Sequence, residues 1–193
     1  MSKTKFSPKE ILVPTVILLV ICMVASALLA GTNMLTKDKI AAINAETKAK
    51  AMQIVMPDAV SFGDVAEATD SLEYCEALDE NGNVIGYAFT SVVTGYGGDV
   101  QVMIGLNTDG SVKKVTIISA DDETPGLGQN VKKDSFLDQF TGKTGEITVV
   151  KNAVSSDDEI QAVTSATITS KAVTKAVNSA IEYYTVNGGE TNG

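Results

Sequence analysis

A chain of 193 residues has room for one ordinary domain and a short appendage. Its 15 basic residues against 24 acidic ones give a net charge of −9, and every basic residue is lysine: arginine, histidine and tryptophan are absent. Without histidine there is no Ser-His or Cys-His nucleophile pair and no imidazole metal ligand. Without arginine there is no bidentate fork for phosphate or carboxylate. An acidic chain lacking a lysine stripe interleaved with aromatics is repelled by a phosphate backbone, which argues against a nucleic-acid partner. Two cysteines, Cys22 in an apolar run and Cys75 after Glu73 and Tyr74, make no disulfide framework. Chemistry from such a chain falls to a cofactor.

In chain order, residues 1–10 carry Lys3, Lys5 and Lys9 and are expected to be a cytoplasmic N-terminus. Ile11 to Ala30 is an uncharged run rich in Ile, Leu, Val and Ala. At 1.5 Å per residue it spans roughly 30 Å, the thickness of a bilayer's hydrocarbon core, and reads as a single transmembrane helix. A cleavable signal peptide is the competing reading, because Ala25-Ser26-Ala27 has the small-x-small form of a cleavage site. With the run uncleaved and the lysines inside, residues 31 to 193, carrying 12 Lys against 23 acidic residues, lie on the extracytoplasmic face. Helical spacing from Thr32 to Met56 predicts a stalk helix, stopped by Pro57, over residues 31–57.

The pattern then becomes β-rich. Runs at Val84 to Val93, Val100 to Leu106 and Val112 to Ser119 are separated by turn signals, with Asn81-Gly82 ahead of the first and Asp109-Gly110 forming a hairpin between the last two. A helical stretch at Lys132 to Phe140, a strand at Ile147 to Val150 and a long helix from Ile168 to Tyr184 follow. Ala172, Ala176, Ala180 and Tyr184, beside Val173, Val177 and Ile181, give that helix one apolar face for a core. Residues 187–193 have no apolar anchor and read as a flexible tail. The fold class expected is α+β: a transmembrane helix and a stalk helix, then a mainly antiparallel sheet packed against helices over residues 58–186.

Ahead of the last helix stands Thr164-Ser165-Ala166-Thr167-Ile168-Thr169-Ser170, with five hydroxyls in seven residues. One N-cap needs one hydroxyl; this density at a helix N-terminus suits a phosphate bound without arginine. Val163 to Val173 resembles the flavinylation signature of the FMN-binding domain shared by the G subunit of the Rnf complex and the C subunit of the sodium-pumping NADH:quinone reductase. That pattern is roughly D-x-x-[S/T]-G-A-T-x-[S/T]. Thr164, Ala166, Thr167 and Thr169 match it, whereas Gln161 stands where Asp is usual and Ser165 where Gly is usual. Glu123-Thr124-Pro125-Gly126-Leu127-Gly128 is similar to the family's ETPGLG loop, and Gly95-Tyr96-Gly97-Gly98 to its Gly-Tyr-x-Gly element. The resemblance extends over the anchor, stalk and closing helix, and the Rnf G subunit fits best by length.

The resemblance implies FMN joined by a phosphodiester bond to Thr167. It implies phosphate and ribityl contacts from Thr164, Ser165, Ala166, Ile168 and Thr169, with Lys171 as a nearby cation. Tyr96, Thr124, Gly126, Leu127 and Gly128 then border the flavin ring, with Glu123 anchoring their loop. The expected function is that of a membrane-anchored flavoprotein subunit relaying electrons in an ion-translocating ferredoxin:NAD oxidoreductase complex. Its partners are the other membrane and peripheral subunits, with a flavin transferase for maturation, and it has no catalysis of its own beyond flavin redox. The alternatives are a stand-alone extracytoplasmic flavin carrier, the C subunit of the quinone reductase, and a structural anchor without cofactor.

Overall fold

A computed structural model of the chain describes residues 8–187; the expected N-terminus at residues 1–7 and most of the expected tail lie outside the described residues. The described chain divides into two compact units, through Glu46 and from Thr47 onward.

Helix α1, Pro8–Val55, carries Pro14 in its second turn and runs without interruption past Gly31. In the first unit its Ile, Leu, Val and Met side chains from Leu12 to Leu35 are exposed, and the helix is long and apolar enough to cross a membrane. Thr32 and Thr36 donate their hydroxyls to carbonyls four residues back, at 2.9 Å each, so the polar side chains that follow the apolar run are satisfied within the helix.

The second unit contains the last turns of α1 and everything after Pro57. Its sheet comprises β1 (Ser61–Phe62), β2 (Ala66–Thr69), β3 (Leu72–Leu78), β4 (Val84–Thr94), β5 (Asp99–Asn107) and β6 (Val112–Ser119). All pairings in it are antiparallel, in the order β1-β3-β4-β5-β6, with β2 also on β3. The three expected strands are β4 to β6, and the Asp109-Gly110 turn joins β5 to β6, with Gly110 at φ +80°. Two 3₁₀ turns, Gly128–Lys132 and Asp138–Phe140, flank a single turn of α-helix, α2 (Asp134–Leu137), where one helical stretch was expected. A small parallel pair, β7 (Thr148–Val150) with β8 (Glu159–Gln161), precedes the closing helix α3, Thr167–Asn187.

Period-two alternation sends the sheet's side chains into two cores. Leu72, Tyr87, Phe89, Val100, Val102, Ile104 and Leu106 pack with Val173, Ala176, Val177, Ala180 and Ile181 of α3. On the other face Cys75, Ala77, Ala88 and Met103 pack with Ala51, Val55, Met56 and Ala59. Because both faces of β5 are covered, it reads as an almost unbroken apolar run. The distal end of α3 is fixed by rings: Tyr183 lies 5.4 Å from Tyr74, and Tyr184 lies 5.4 Å from Tyr87, centroid to centroid. Midway, Asn178 binds both main-chain groups of Ile147, accepting its N–H at 3.0 Å and donating to its carbonyl at 2.9 Å.

At Gly105 the carbonyl of Val55 approaches so closely that a Cβ would lie 2.6 Å from it. Gly105→Ala is expected to destabilise the second unit by about 1–3 kcal/mol, read as a lower denaturation midpoint. Burial pushes the Cys75 thiol up against the weaker opposing pull of Lys48, leaving less thiolate at any given pH. In a Cys22→Ser background, Cys75 is expected to resist thiol reagents at pH 8 until the protein unfolds, as counted by mass spectrometry.

Candidate functional site

Three segments far apart in sequence meet at the N-terminal end of α3. The first is the turn leaving β4. There Gly95 donates its N–H to the Gly98 carbonyl at 2.8 Å, and a Cβ on Gly97 would lie 2.2 Å from the Asp122 carbonyl oxygen, so only glycine permits the approach.

The second segment follows β6. Asp121 accepts from Lys132 at 3.1 Å and from Ser119 at 3.1 Å, and these donors hold its carboxyl below the usual carboxylate range. The tie is therefore kept at neutral pH and lost as pH falls through that lowered value. Glu123 is buried, 1 % exposed. Its Oε1 accepts the N–H of Tyr96 at 2.7 Å and that of Gly97 at 3.3 Å. Its Oε2 has no partner among the described residues. Beyond it Gly126 takes φ +76°, and Leu127 and Gln129 donate main-chain N–H groups to the Thr124 carbonyl at 3.1 and 3.3 Å.

The third segment is the hydroxyl-rich entry to α3. Two side-chain clamps shape it. Gln139 accepts the Gln161 N–H at 2.7 Å and donates to the Gln161 carbonyl at 3.3 Å. The buried Ser170 hydroxyl accepts the Val163 N–H at 3.0 Å and donates to the Ala166 carbonyl at 2.9 Å. Between these clamps Ser165 adopts φ +62°, the left-handed region that glycine enters most readily. The first bond of the helix is Ser170 N–H to the Ala166 carbonyl at 2.9 Å, so the amides of Thr167, Ile168 and Thr169 precede the intrahelical ladder and carry the positive end of a 21-residue helix.

Together these segments enclose a cavity of about 430 Å³, lined by Tyr96, Glu123, Thr124, Leu127, Gly128 and the run Ser165 to Thr169. That volume falls within the range of small-molecule sites. Tyr96, Leu127 and Ile168 expose apolar surface there, and Thr167 is half-buried. Thr169 is fully buried and its Oγ1, like Glu123 Oε2, has no hydrogen-bond partner among the described residues; both residues line this cavity.

Ten of the thirteen residues singled out from the sequence thus line one cavity. Thr164 instead lines an adjoining groove with Asn130, Lys133, Gln139 and Gln161, and Gly126 sits at the outer turn of its loop, with open space where a Cβ would stand. Lys171 is exposed and does not line the cavity. Sequence reasoning missed Gln139 and Ser170 as clamps; a lone glutamine or serine gives no signal until its main-chain partner is known.

Two family models match the chain, one described as an FMN-binding domain over residues 95–182 and one as the RnfG N-terminal region over residues 1–55. The chain is 41% identical over 186 residues to the G subunit of the Na(+)-translocating ferredoxin:NAD(+) oxidoreductase complex of Acetobacterium woodii, covering 87% of this chain and 88% of that protein. It is 36% identical over 169 residues to the G subunit of the proton-translocating ferredoxin:NAD(+) oxidoreductase complex of Clostridium ljungdahlii, covering 87% and 88%. It is 32% identical over 188 residues to the G subunit of the ion-translocating oxidoreductase complex of Methanosarcina acetivorans, covering 94% and 98%. Among solved structures it is similar to the C subunit of the Na(+)-translocating NADH-quinone reductase from Parabacteroides distasonis, with a TM-score of 0.49 and 25% identity over 58% of this chain and 61% of that one.

The left-handed Ser165 carries a steric cost that glycine avoids. Ser165→Gly is expected to stabilise the second unit by about 0.5–1 kcal/mol, since glycine's extra freedom in the unfolded chain offsets part of the gain. A raised unfolding temperature of the detergent-solubilised protein checks this.

Proposed function

Because the chain belongs to the family of RnfG subunits of ion-translocating oxidoreductase complexes, we propose that it is the membrane-anchored flavoprotein subunit of such a complex, relaying electrons between ferredoxin and NAD through FMN held covalently at Thr167. The apolar α1 is the anchor. Lys3, Lys5 and Lys9 keep the N-terminus cytoplasmic, which puts the FMN-binding domain on the extracytoplasmic face.

The observation that supports a flavin site at Thr167 is the convergence of Ser165 to Thr169 with Glu123, Thr124, Leu127 and Gly128 on one cavity; the covalent linkage rests on the resemblance of the Thr164 to Thr169 run to the flavinylation signature. The donor set fits FMN. Amides at the start of α3 offer N–H groups to phosphate oxygens without any arginine. The unpartnered hydroxyl of Thr169 and that of Ser165 suit phosphate or ribityl oxygens. The apolar surface of Tyr96, Leu127 and Ile168 suits an aromatic ring.

When bound, the flavin supplies storage for one or two electrons, which none of this chain's own side chains can provide. Thr167 Oγ would hold the group: losing its proton, it would take the FMN phosphoryl from the transferase's flavin dinucleotide donor, whose phosphoanhydride bond would break to release a nucleoside monophosphate, and the ester would keep the flavin on an outer face from which a merely dissociable cofactor would be diluted away. Thr164 lies on the adjoining groove rather than in the cavity, so it is not among the residues that would hold the phosphate. Tyr96 and the Thr124 to Gly128 loop orient the ring and limit water beside it.

Co-production with a flavin transferase is expected to give a band that fluoresces under ultraviolet light on a denaturing gel, with a mass gain of FMN less water on the peptide containing Thr167. Thr167→Ala is expected to abolish both. An adduct on another residue, or none on the parent chain, overturns the covalent reading. Co-purification with multi-spanning membrane subunits tests membership of the complex.

A further inference from the structure

Glu123 is the one acidic side chain among the described residues that is fully buried. The surrounding backbone is shaped to receive it. A Cβ on Gly95 would lie 2.1 Å from Oε1, and one on Gly128 would lie 2.0 Å from Oε2. The turn after β4, the loop after β6 and the first 3₁₀ turn therefore converge on a single carboxyl, and a side chain at either glycine would displace it.

The two oxygens differ in what they do. Oε2 is sealed from solvent and accepts from no described donor, an arrangement that destabilises a fold. Oε1 accepts from the amides of Tyr96 and Gly97 across 27 and 26 residues of sequence. A group kept at a cost to stability points to a local duty, and the connection that this carboxyl makes is to the amides that carry Tyr96. Tyr96 needs such a tether: it is 71% exposed, yet its side chain lines the cavity.

We propose that Glu123 is a positioning residue: through the amides of Tyr96 and Gly97 it fixes Tyr96 as a rigid wall, so that a flavin ring in the cavity meets the phenol in one geometry. This rests on the flavin reading above. A tyrosine ring held against a flavin quenches its emission, which gives a readout independent of electron-transfer activity. Glutamine at this position keeps an acceptor oxygen for both amides, whereas alanine keeps none.

The test uses the full-length chain co-produced with a flavin transferase, with emission normalised to covalently bound flavin. Tyr96→Ala and Glu123→Ala are each expected to raise emission several-fold, Glu123→Gln to leave it near the parent value, and Glu123→Ala to add nothing in a Tyr96→Ala background. An unchanged emission in Glu123→Ala, or an equal further rise in the Tyr96→Ala background, overturns the proposal. Amide hydrogen exchange decides the matter if Glu123→Ala does not fold: the Tyr96 and Gly97 amides are expected to be protected in the parent despite the exposure of the side chain, and rapid exchange at both overturns it. The same exchange is measured on Thr167→Ala, so a chain that never takes up flavin, the failure of the earlier reading, still tests the tether at Glu123.

Discussion

The burial of one face of α3 against β4 and β5 governs the geometry of everything around the cavity. Val173, Ala176, Val177 and Ala180 are enclosed by the sheet, and Asn178 and the Tyr183 and Tyr184 rings fix the register of the helix along it. Once that register is set, the helix can begin at only one point in space. The amides of Thr167, Ile168 and Thr169 are held there by a mainly apolar core, an instance of a rigid element supporting a site at its end.

A chain with lysine as its sole basic residue must meet an anion by other means, and main-chain amides are the available ones. The same economy recurs elsewhere in the second unit. Gln139 and Asn178 each satisfy a neighbouring segment by binding both of its main-chain groups, standing in for a missing strand partner. Ser170 does so across the turn that delivers Thr167. Neutral side chains bonded to backbone, rather than ion pairs, shape the entry to α3, so that entry is insensitive to salt in a way that surface charge pairs are not.

The sequence made β4, β5 and β6 legible because β-branched residues recur in them between strong turn signals, and α3 because its alanines and valines keep a helical period. It did not disclose β2 and β3. Ala66–Thr69 and Leu72–Leu78 mix glutamate, alanine and leucine, which favour helix locally, and they become strands only through pairing with each other and with β4. Segment β8 is three residues long and exists only by pairing with β7. At the site, the loop and the hydroxyl run were readable as motifs, and the departure at Ser165 was visible as a letter. Its meaning, a left-handed turn, was not visible, because φ is not written in composition. The link between Glu123 and Tyr96 spans 27 residues and appears only when both loops are in place.

The last turns of α1 are core as well as connection. Ala51, Val55 and Met56 cover Cys75, Ala77, Ala88 and Met103 on the sheet face opposite α3. A protease cutting ahead of Thr47 leaves that cover in place and releases a compact body. A cut at Pro57 strips it away and opens an apolar strip along the middle strands, ready to stick to a second copy or to lipid. The boundary between what can be shed from this protein and what cannot thus falls inside a continuous helix, at a point its sequence does not punctuate.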